Sequence, residues 1–149
     1  MTPPIHIETG YVLLLIDKKI KGMKKMKLAS DVLVMMVALE ALFIMILEMF
    51  LTQTKMARKA FDLSQEYLAQ KQTRVSMANQ GLYNGFIGVG IILSRFLLPT
   101  GIRMFNLYLF VGFVVIAAIY GAITANKKII ISQGLPAMIA WVSLFIANH

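Results

Sequence analysis

The sequence predicts an all-α fold: an antiparallel bundle of four transmembrane helices with a long polar loop between helices 1 and 2. Three observations carry this. The 149 residues are 58% hydrophobic and only 15% charged, against roughly 45–50% and ~25% in soluble domains. Several apolar runs reach about 20 residues, which at ~1.5 Å per residue cross the ~30 Å hydrocarbon core. The basic residues lie between those runs, where they flank membrane spans. Lipid offers the backbone no hydrogen bonds, so each spanning run must be a helix.

The chain opens on a basic stretch. Residues 1–26 hold one short apolar run, Tyr11 to Ile16, and Lys18, Lys19, Lys21, Lys24, Lys25 and Lys27 follow it. This resembles the basic start of a signal peptide, but the next apolar run contains Asp31, Glu40 and Glu48 and lacks a small-x-small cleavage site, so an uncleaved first helix is expected. Met23 and Met26 are alternative starts, and the segment before Met23 reads as a basic, poorly ordered extension. The membrane domain is then 27–149.

The first span covers residues 30–51. Residues 52–79 form a polar connection too long for a simple turn. Within it Asp62-Leu63-Ser64-Gln65 has capping-box spacing, which places an N-cap at Asp62. The helix expected after it either lies on the membrane surface or is a solvated loop helix. The second span is 81–98, ended by Pro99-Thr100-Gly101; the third, 104–124, and fourth, 129–148, are uncharged. Short links at 99–103 and 125–128 force helices two to four into an up-down arrangement. With seven basic residues on each side, the positive-inside rule gives no orientation.

Composition also excludes chemistry. The formal charge of +8 does not point to nucleic acid, because no aromatic-interleaved binding signature accompanies it. The chain has no cysteine, and its two histidines, His6 and His149, lie at the ends, so no metal site or cofactor is expected. No nucleotide loop or nucleophile elbow occurs.

What remains is polar chemistry within the spans. A carboxylate at the bilayer centre costs roughly 2.5–3.5 kcal/mol on insertion scales, so an intramembrane acid marks a candidate site. Glu48 lies ~5 Å below the loop-side interface, level with Gln80, Tyr83 and Asn84, and these four are expected to form a hydrogen-bonded cluster. Glu40 lies ~16 Å deep and Arg95 ~22 Å from the same interface, which predicts a Glu40–Arg95 ion pair. Gly81, Gly85 and Gly88 are spaced to let another helix approach closely. Gln80-Gly81-Leu82 recurs as Gln133-Gly134-Leu135, and helices two and four begin on the same side. Tyr120 and Gln133 therefore join Glu48, Gln80, Tyr83 and Asn84 as ligand-binding candidates on one leaflet. Trp141 reads as a core residue whose indole needs a partner.

The run Ala78 to Phe86, containing Asn-Gln-Gly-Leu-Tyr-Asn-Gly, with Ala38-Leu39-Glu40 and Leu47-Glu48-Met49-Phe50 upstream and Gln-Gly-Leu-Pro-Ala at 133–137, resembles a family of small bacterial integral membrane proteins. That family is defined only as a domain of unknown function. The resemblance covers roughly residues 27–149. It implies a four-helix, multi-pass protein of the bacterial cytoplasmic membrane and no established activity.

The functional expectation is a polar pocket near one membrane face that takes a small amphipathic ligand, a lipid or a quinone. Two alternatives stand beside it. Small multidrug exporters resemble this chain in having four spans and a glutamate in the first, which would be Glu40 exchanging a proton for a cation. An intramembrane enzyme would use Glu48 as acid and base. No motif demands catalysis, and oligomeric assembly stays open.

Overall fold

A computed structural model describes residues 5–148, with side chains from residue 10 onward. Six α-helices follow one another: α1 (Ile5–Met49), α2 (Lys55–Phe61), α3 (Gln65–Ala69), α4 (Lys71–Leu97), α5 (Thr100–Thr124) and α6 (Leu135–Asn148), with a π-helical turn, Ile130–Gly134, leading into α6. No strand occurs among the described residues. Three stretches are long and apolar enough to cross a membrane: Gly10–Met49, Thr100–Thr124 and Ile130–Asn148. α4 is comparable in length, but Gln72, Arg74, Asn79, Gln80, Asn84 and Arg95 leave it less apolar than these three.

The stretch expected to be a poorly ordered extension is instead helical from Ile5 and continuous with the apolar run, so the boundary expected at residues 26 and 27 falls inside a helix. Lysine propagates a helix well, and Asp17 pairs with Lys21 one turn on at 2.8 Å. Residues 10–29 are exposed throughout, so the first half of α1 stands clear of the other elements. The second half packs against α4 and α6, and α5 closes the arrangement by packing on the same two helices. Val34, Val37, Ala38, Ile91, Leu107, Val111, Ala137, Ala140 and Leu144 form the shared core.

The connection between α1 and α4 holds two short helices. Thr54 caps α2, its hydroxyl accepting from the Ala57 N–H, and Ser64 caps α3 by accepting from the Tyr67 N–H. Asp62 is not the N-cap expected from its spacing. It ends α2 in the left-handed region at φ 57°, which Asp tolerates better than most residues. Its carboxylate accepts from Lys128 Nζ at 3.2 Å and Asn126 Nδ2 at 3.3 Å, tying this connection to the one between α5 and α6. In α3, the Glu66 backbone N–H and the Ser64 hydroxyl hold the exposed Glu66 carboxyl below the usual carboxylate range.

The π-helical turn has a chemical origin. Pro136 has no N–H for the Ser132 carbonyl four residues back, and the Leu135 N–H reaches five residues back, to Ile130 O. Trp141 is not enclosed in the core but 41% exposed on α6. Its indole N–H does find an acceptor, the Tyr108 carbonyl on α5 at 3.2 Å, and the two rings meet edge to face.

Candidate functional site

The seam between α1 and α4 positions most of the polar chemistry. Gly81, Gly85 and Gly88 recur at steps of four and three, which places them on one helix face, and all three are buried. A Cβ at Gly81 would sit 3.0 Å from Glu48 Cβ; one at Gly88 would sit 2.9 Å from the Ala38 carbonyl oxygen. With glycine there, the α1 backbone comes close enough for short polar side chains to meet across the seam.

At the loop-side end of the seam, Asn84 Nδ2 donates to Glu48 Oε2 at 2.7 Å. Glu48 is only 2% exposed, and the amide is its one hydrogen-bond partner among the described residues. A buried carboxylate without a donor is costly, so Asn84→Ala is expected to destabilise the protein by about 1–3 kcal/mol. Chemical denaturation in detergent would check this, with Asn84→Gln retaining more stability than Asn84→Ala.

The wider cluster expected around Glu48 does not assemble. Gln80 is exposed at the rim of the face that Gly81 and Gly85 define, and Tyr83 lies 200° around the helix from Gly81. Tyr83 is 70% exposed and stacks edge to face on Phe86 instead. Tyr120 is exposed on α5, and Gln133 is half-buried in the π-helical turn with no side-chain hydrogen bond. Of the six residues grouped at this face by depth, only Glu48 and Asn84 touch through a side-chain hydrogen bond.

At the other end of the seam Arg95 does not pair with Glu40. Its Nε donates to Asp31 Oδ1 at 2.9 Å and its Nη2 to Oδ2 at 2.6 Å, a two-pronged match of guanidinium to carboxylate. Both side chains are about three-quarters buried. The reason is rotational. Asp31, Ala38, Leu42 and Met45, at steps of seven, four and three, run down the α4-facing side of α1, and Glu40 is two residues, about 200°, beyond Ala38. Glu40 is half-buried and makes no side-chain hydrogen bond or ion pair.

A cleft lies toward the loop-side end of the α1–α4 seam, its lining on α1 beginning at Met49, one residue beyond Glu48. It has a volume of about 540 Å³, opens to solvent, and separates the end of α1 from the first turns of α4. Met49, Phe50, Leu51, Val75 and Ala78 contribute apolar surface to it; Thr52, Gln53, Thr54, Lys71 and Arg74 contribute polar groups. The polar composition of residues 52–79 predicts only a connection here and gives no sign of the cleft. The available signal was the spacing of Lys71, Arg74, Val75 and Ala78, which is that of one helix face. No group of three or more potential metal ligands occurs among the described residues.

Comparison with known proteins gives two matches. Residues 35–145 match the model of a family described as protein of unknown function (DUF1304). The chain is also similar to an uncharacterised protein, YpaA, of Lactococcus lactis subsp. lactis (strain IL1403): 37% identical over 120 residues, covering 80% of this chain and 99% of that one. No solved structure matches.

Proposed function

We propose, for a chain that belongs to the DUF1304 family of proteins of unknown function, a role as a multi-pass protein of the bacterial cytoplasmic membrane that binds an amphipathic ligand where α1 ends. In this reading α4 is the fourth span beside the three apolar ones, and the helices run up and down as a four-helix bundle. Its length and its packing against both α1 and α5 support that.

The observation that carries the ligand is the cleft between the end of α1 and the start of α4. It is large enough for part of a lipid or a quinone, and its lining mixes apolar surface with a few polar groups, as small-molecule sites do. The buried Glu48–Asn84 contact ties α1 to α4 next to the cleft-lining residue Met49.

Native mass spectrometry on protein extracted in mild detergent tests the reading. A retained adduct with the mass of a membrane lipid or quinone is the expected result. Bare protein in several detergents would count against it.

A further inference from the structure

We propose that the cleft between α1 and α4 seats the phosphate of an anionic phospholipid headgroup, held by Lys71, Arg74 and the Thr52 hydroxyl, with the acyl chains leaving along Phe50 and Val75. The proposal rests on the ligand-binding reading above and names the chemical class of the ligand.

Four observations converge on an anion. Lys71 and Arg74, three residues apart, line the cleft from one face of α4, and neither side chain has an ion-pair partner among the described residues. No aspartate or glutamate lines the cleft. Gln70, at the N-cap of α4, makes no side-chain cap hydrogen bond, so the first-turn N–H groups and the positive end of a 27-residue helix are left to an outside acceptor. Thr52, only 6% exposed, lines the same cleft and its hydroxyl has no hydrogen-bond partner. The hydroxyl is thus free to donate to a phosphate oxygen in the cleft.

The apolar part of the lining favours a phospholipid as the source of the phosphate. A free phosphate has no use for Met49, Phe50, Leu51 and Val75, whereas a phospholipid places its glycerol and first methylenes against such a surface. Position agrees. The segment from Ala78 back to Lys71 covers ~10 Å just outside the apolar part of α4, close to the thickness of a headgroup layer. A quinone would fit the apolar part of the lining but leaves both cations unanswered.

The test uses the full chain in mild detergent, titrated with phosphatidylglycerol, phosphatidylcholine or inorganic phosphate and read by native mass spectrometry. Wild-type protein is expected to prefer phosphatidylglycerol. Lys71→Gln/Arg74→Gln should weaken that binding by roughly thirtyfold, since each cation near an anionic headgroup is worth close to a fivefold change. Thr52→Val should weaken it by about fivefold. Lys71 and Arg74 are exposed, so unchanged helical circular dichroism will show that the double variant folds.

Equal affinity for the two phospholipids, or unchanged affinity in the double variant, overturns the proposal. If a neutral lipid or quinone is then retained, the ligand-binding reading stands without it. Inorganic phosphate binding as tightly as phosphatidylglycerol also overturns it, by making the ligand a soluble anion. Failure of every probe, together with no retained ligand, overturns both.

Discussion

Gly88→Ala is expected to destabilise the protein by about 1–3 kcal/mol, the usual penalty for inserting a methyl group where there is no room. The new Cβ would lie 2.9 Å from the Ala38 carbonyl oxygen, which is helix backbone and cannot rotate aside, and 2.8 Å from Leu42 Cγ. α1 and α4 must therefore separate along the seam. Gly85→Ala provides the control. Its Cβ would meet Met45 Sδ at 2.5 Å, but the flexible thioether can move away, so the cost should stay under ~1 kcal/mol. Unfolding in detergent, followed by circular dichroism, separates the two. If the substitutions cost the same, the seam is not held at backbone contact.

Asp31→Ala is expected to cost roughly 3 kcal/mol, at the low end for breaking a buried ion pair because both partners keep about a quarter of their surface exposed. The cause is the guanidinium left without its carboxylate, so Arg95→Met alone should be comparably harmful. Asp31→Leu/Arg95→Met should recover most of the stability, since replacing a buried pair with apolar residues of similar size is often neutral. A double-mutant cycle measures this directly. Glu40→Gln, by contrast, should leave the Arg95 contribution unchanged. If Glu40→Gln and Arg95→Met instead prove strongly coupled, the pairing with Asp31 is wrong.

The contrast between these residues shows what a single sequence reveals of such a fold. The apolar runs were legible because length and composition decide whether a helix can cross a membrane, and the glycine spacing was legible because close packing needs it. The Glu48–Asn84 contact could be anticipated from depth, as both residues lie a few positions from the same loop. Depth alone matches Arg95 to the wrong acid, because it is only one of two helix coordinates. The second, rotation about the axis, separates Asp31 from Glu40 by most of a half-turn and selects Asp31. The same omission gathered Tyr83 and Tyr120 with Glu48, although their faces turn them outward. The continuity of α1 through its lysines is hidden in the sequence for a different reason: a run of like charge looks like a break in an apolar pattern, yet lysine favours helix and the helix runs through it.

The two polar contacts between α1 and α4 have a mechanical consequence. They sit near opposite ends of the seam, Asp31 with Arg95 and Glu48 with Asn84, with the glycine contacts between them. Sliding α4 by one residue, ~1.5 Å, would strain both, and rolling it by one residue, about 100°, would lose both. The pair therefore moves as a single strut. The α1 and α4 sides of the cleft thus start from helices whose spacing and register are already set.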